Sequence, residues 1–96
     1  MSTTTVNNGV VAVTDTSTQI RPAFTDSGRR GFLFLTNSGA KDAYVSFGED
    51  ASVGNGTFLK AAGGAIGLGA EWQGSVNAIC VDVAGTNISF SEGVDL

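Results

Sequence analysis

Gly31-Phe32-Leu33-Phe34-Leu35-Thr36 is the stretch on which the fold turns. In an extended chain its apolar side chains alternate, with Phe32 and Phe34 on one face and Leu33 and Leu35 on the other. A strand that is apolar on both sides lies centrally, with a second layer or another subunit over each face. Asn37-Ser38-Gly39-Ala40-Lys41-Asp42 follows as a loop, and Ala43 to Phe47 returns as the next strand, which predicts a hairpin.

The same reading extends in both directions. Towards the N-terminus, Thr18 to Arg21 is a short extended piece running into Pro22, and Val10 to Thr14 is a first strand. Residues 1–8, rich in Thr and Asn, are expected to form a flexible N-terminal arm, leaving 9–96 as one domain. Towards the C-terminus, Gly56 to Lys60 and Ala65 to Leu68 are short strands. Ser75 to Val83 is a longer one, with Ile79, Val81 and Val83 facing one way. Asn87 to Glu92 follows the turn at Ala84-Gly85-Thr86, with Ile88 and Phe90 on its inner face. The 14 glycines break up every apolar run before a helical period is established. The expected fold is therefore all-β: an antiparallel β-sandwich or flattened β-barrel of seven to eight short strands. Its core is expected from Phe32, Phe34, Phe47, Phe58, Phe90 and Ile79, each contributing about 2–3 kcal/mol on burial.

Composition narrows the chemistry. A chain of 96 residues with 15% charged residues and 42% hydrophobic ones makes one modest core and leaves uncharged surface to set against a partner. Five Lys and Arg against nine Asp and Glu give a net charge of −4, which repels phosphate, so nucleic acid is not an expected partner. No stretch approaches the ~20 apolar residues of a membrane span, and Met1-Ser2-Thr3-Thr4-Thr5 lacks the basic and apolar regions of a secretion signal. With no histidine, a Ser–His–Asp or Cys–His arrangement cannot be built. The single Cys80 forms no internal disulfide and reads as a buried small hydrophobe. The glycine cluster Gly63-Gly64-Ala65-Ile66-Gly67-Leu68-Gly69 has neither phosphate-loop spacing, so its glycines serve turns and close packing. Glu49-Asp50 lacks the alternating carboxylates of a calcium loop. No enzyme activity, cofactor or metal is expected.

The candidate contacts to a partner or neighbouring subunit are Val6, Val10, Arg29, Arg30, Tyr44 and Trp72. Trp72, between Glu71 and Gln73, and Tyr44 are the rings that a sugar-stacking site would use. The alternative is that each packs at the sheet margin with its polar tip bonded. Arg29 and Arg30 read as solvated, with a salt bridge to a neighbouring subunit as the second reading.

Arg30-Gly31-Phe32-Leu33-Phe34-Leu35-Thr36-Asn37, followed by Ala43-Tyr44-Val45-Ser46-Phe47-Gly48, resembles small virion proteins of tailed bacteriophages. The similarity continues through Gly56-Thr57-Phe58-Leu59, Gly74 to Ile79 and Ala84 to Gly93. It includes the earlier Val13-Thr14, Ser17 to Ile20 and Arg21-Pro22-Ala23. These are scaffold residues and not a catalytic motif. The resemblance implies a head decoration (cement) protein or a head-fibre base protein, made in the host cytoplasm and bound to the major capsid protein on the capsid surface. It also implies a homo-oligomer, with a trimer favoured. A neck or tail assembly component and a carbohydrate-binding module are the alternatives.

Overall fold

The computed structural model describes residues 4–24 and 28–95. Eight strands run in the order β1 (Thr4–Val13), β2 (Thr18–Arg21), β3 (Arg29–Asn37), β4 (Ala43–Phe47), β5 (Thr57–Leu59), β6 (Ala65–Leu68), β7 (Val76–Cys80) and β8 (Thr86–Asp95). They form two antiparallel sheets of four strands, β1-β8-β3-β6 and β2-β7-β4-β5. The sheets share one core, so the fold is a β-sandwich and not a closed barrel.

The core is aliphatic. From the first sheet come Val13, Leu33, Leu35 and Ile88; from the second come Ile20, Ala43, Val45, Leu59, Val76, Ala78 and Cys80. Phe47, Trp72 and Phe90 flank it, partly buried. Cys80 is buried as its apolar surroundings predict. The aromatic core expected from sequence is not formed, because Phe34 and Phe58 are exposed. On β7 the buried face is Val76, Ala78 and Cys80. Ile79 is buried as expected, though on the opposite side of the strand from these three, and the strand ends at Cys80, leaving Val81 and Val83 exposed instead of inward.

The expected hairpin between residues 31–36 and 43–47 is absent. β3 pairs with β8 and β6, while β4 pairs with β7 and β5 in the opposite sheet. Leu33 and Leu35 need cover over their face, and β4 provides it from across the core instead of from alongside. Asn37 anchors this crossing. Its Nδ2 donates to the carbonyls of Lys41 (2.8 Å) and Leu59 (2.9 Å), and its Oδ1 accepts from Thr86 Oγ1 at 2.7 Å.

β1 extends further than expected. Its ladder with β8 runs without a register shift from Thr4↔Asp95 to Val13↔Thr86. Residues 4–8, expected as part of the arm, continue this ladder, and residues 1–3 lie outside the described residues.

The end of the sandwich opposite Asn37 is closed by charge. Arg30 and Glu92 are both wholly buried, and Arg30 Nε meets Glu92 Oε2 at 2.9 Å. The other carboxylate oxygen takes Arg21 from the facing sheet, with Nη2 at 2.8 Å and Nε at 3.0 Å. The remaining donors of Arg30 go to the carbonyls of Trp72 (2.9 Å), Gly74 (3.0 Å) and Pro22 (3.2 Å). Its guanidinium also lies 5.2 Å from the Phe24 ring. The reading of Arg30 as solvated is thus overturned, and the reason is local. Strict alternation from Leu33 would put Arg30 outside with Phe32. A register shift between Arg30 and Phe32 makes Gly31 the extra residue and turns Arg30 inward. A second shift, between Gln19 and Arg21, places Arg21 opposite the inward Val76.

Breaking a buried ion pair leaves the surviving charge uncompensated, which costs more than the pair itself contributes. Glu92→Gln is expected to lower unfolding stability by about 3–5 kcal/mol, and Arg21→Gln, whose side chain is partly exposed, by about 1 kcal/mol. Urea denaturation of both variants checks this; equal losses would mean that Arg30 does not depend on Glu92.

Candidate functional site

The residues of β1, β8, β3 and β6 that point away from the core make a second, outward face. Pairing puts Val6 opposite Gly93, Asn8 opposite Ser91 and Val10 opposite Ser89. The row continues across β8 to Phe32, Phe34 and Thr36 on β3, and then from Phe34 to Gly67 on β6. The centre of this face is uncharged; Arg29 and Asp95 stand opposite each other at one end. Val10 is 63% exposed, Phe34 55% and Val6 50%, so three large apolar side chains of one sheet face stand in solvent.

Two glycines set the position of the aromatic rings. A Cβ on Gly93 would run into the Phe32 ring, and one on Gly67 into the Phe34 ring. Glycine on neighbouring strands therefore lets each ring lie over the adjacent strand, with their centroids 5.6 Å apart and their planes tilted by 46°. The surface is held by short polar bonds: Ser91 Oγ donates to Asn8 Oδ1 at 2.5 Å, and Ser38 and Ser89 hydroxyls are 3.2 Å apart. An apolar surface on a fixed backbone loses little conformational entropy when covered.

The six sequence candidates divide between several places. Val6 and Val10 lie on this outward face. Arg29 lies at its end, exposed, reaching the carbonyl of Ala70 at 3.4 Å. Arg30 is in the buried ion pair. Tyr44 is on the outside of the second sheet, its ring 5.3 Å from that of Phe58. Trp72 packs edge-on against Phe47 at 6.2 Å, with its Nε1–H bonded to the Ser75 carbonyl at 3.1 Å. The ring fits closely over Gly48 and Gly74. Because Phe47 points into the sandwich and Tyr44 out of it, Trp72 and Tyr44 do not form one stacking platform. The loop carrying Trp72 is fixed on both sides: Gln73 exchanges hydrogen bonds with the Arg30 backbone at 2.6 and 2.8 Å. The backbone N–H groups of Glu71 and Gly69 hold the Glu71 carboxyl below the usual carboxylate range.

Phe32 and Phe34, which the sequence reading counted in the core, lie instead on this outward face. Leu and Phe give the same apolar signal, so alternation alone could not say which pair faced the core. Gly67 and Gly93, each inside a strand where glycine costs stability, were the available signal. Elsewhere, Ser46, Glu49, Asp50, Ser52 and Asn55 line an open polar cleft. Among the described residues no three His, Cys, Asp or Glu side chains gather as a metal site would require. The sequence matches no protein-family model and no curated protein.

If Trp72 is a packing residue, its removal acts on the fold. Trp72→Ala is expected to cost about 2–3 kcal/mol and Tyr44→Ala about 1 kcal/mol or less. Thermal unfolding ranks the two, and the reverse order would return Trp72 to the surface.

Proposed function

We propose that the chain is a structural, non-enzymatic protein of a tailed-bacteriophage virion, a decoration protein that binds the outside of the assembled head and stabilises it. The observation that carries this reading is the uncharged outward face of the first sheet, with Phe32, Phe34, Val6 and Val10 displayed on a fixed backbone. The resemblance carried by Arg30 to Asn37 and Ala43 to Gly48 supplies the virion context. The partner is the major capsid protein. A protein that binds only the assembled shell stabilises it by mass action. A homo-oligomer, a trimer by the resemblance, makes several weak contacts at once and gains avidity without a large single interface.

Two measurements test the proposal. Quantitative mass spectrometry of purified virions is expected to give a copy number close to that of the coat protein. A few copies per particle would place the chain at the neck, tail or a vertex, and complete absence would favour glycan binding, which a glycan array reads directly. Phe34→Asp, a change on the outward face, is expected to leave the fold intact and to weaken capsid binding by at least about tenfold. Unchanged binding by that variant would move the contact to another surface.

A further inference from the structure

A sandwich of two open sheets has four edges, and this one treats them unequally. Three are short: β2 has four residues, β5 three and β6 four. The fourth, β1, has ten residues and pairs on one side only, in a ladder with no register shift. A long, regular edge is a template for another strand, and proteins normally interrupt one with lysine, proline or a bulge. β1 has none of these. Its sequence, Thr-Thr-Val-Asn-Asn-Gly-Val-Val-Ala-Val, carries no charge, and the first charged residue of the chain is Asp15.

We infer that β1 pairs antiparallel with β1 of a second copy of this chain, around a two-fold axis at Asn8, joining two four-stranded sheets into one of eight. Side-chain direction restricts the possible registers. A two-fold axis normal to the sheet keeps each outward face outward, so outward residues meet outward residues. With the axis at Asn8, Val6 meets Val10 of the other copy, and Val10 meets its Val6. The Val-x-Asn-x-Val spacing reads the same in both directions and gives two identical apolar cross-strand pairs. At the axis, Asn8 Oδ1 accepts from Ser91 Oγ, which ties the side chain to β8. Charge points to the same occupant. Two chains of net charge −4 repel overall, and this neutral edge is where they approach at least electrostatic cost. Both valines are half or more exposed in the single chain, so pairing also removes the part of the outward face nearest the edge from water.

The contact is isologous and closes at two copies, an assembly different from the trimer that the resemblance implies. It does not depend on the virion reading, because it concerns only what this chain does with itself. Sedimentation equilibrium of the full chain over a wide concentration range tests it. The mass is expected to rise from that of one 9.7 kDa chain to twice that value. Asn8→Lys puts two like charges on the axis and is expected to weaken the dimer by at least about tenfold while leaving the unfolding midpoint unchanged at concentrations where both chains are monomeric. Asn8→Cys is expected to give a disulfide-linked dimer on mild oxidation, whereas Val83→Cys, exposed near the Val13 end of β1 and away from the axis at Asn8, is not; the native Cys80 is buried and does not compete. A chain that stays monomeric, a three-chain mass, or a dimer insensitive to Asn8→Lys would each overturn the inference.

Discussion

The buried contact of Arg21 and Arg30 with Glu92 is the constraint on which the rest of the sandwich depends. Two guanidinium groups and one carboxylate inside a 96-residue domain are costly to desolvate, and such a group is weak evidence for stability in itself. What it supplies is register. Without the extra residue at Gly31, Arg30 would turn to the outward face and Glu92 would lose its wholly buried partner. Without the shift beyond Gln19, Arg21 would point away from Glu92. A chain paired without either bulge would leave a buried carboxylate with no counter-charge, a state several kcal/mol worse than the paired one. The ion group therefore selects the bulged pairings, and those pairings fix where each later side chain on β3 points.

A second polar anchor works at the other end. Asn37 bonds to two carbonyls and the Thr86 hydroxyl, and in doing so sets the crossing from β3 to β4. Arg30 and Asn37 bracket Phe32-Leu33-Phe34-Leu35, so the segment between them is held at both ends while its own side chains remain simple hydrophobes. Both residues are buried scaffold, which accounts for the Arg…Asn spacing around the apolar segment. A contact surface is to be sought on the side chains between them.

Strand positions were legible because turn residues punctuate the chain so densely. Thr18–Arg21, Ala43–Phe47 and Ala65–Leu68 fall where the sequence places them. Strand partners were not legible. A short loop between two apolar runs signals a hairpin, but the same length also spans a sandwich, and only the side chain of Asn37 distinguishes the two. Arg30 was misread for a related reason, whereas Arg29 is exposed as expected. Period-two alternation holds only while the ladder is regular, and a bulge of one residue reverses every side chain beyond it. The candidate site was half visible: Val6 and Val10 were singled out, whereas Phe32 and Phe34 became distinguishable from Leu33 and Leu35 only once their glycine neighbours were known.

The same bulge links the interior of the molecule to its surface. Turning Arg30 inward removes a positive charge from the outward face, which would otherwise carry Arg29 and Arg30 together next to Phe32. With Arg30 inside, the cation on that face is Arg29, set opposite Asp95 at its margin, and the apolar rings are left without a charged neighbour in the centre. The desolvation cost of the ion group thus has a counterpart outside, where the centre of the sheet face carries no charge. Phe32 and Phe34 face outward by plain alternation from Leu33, and the inserted residue, Gly31, is what keeps Arg30 from joining them there.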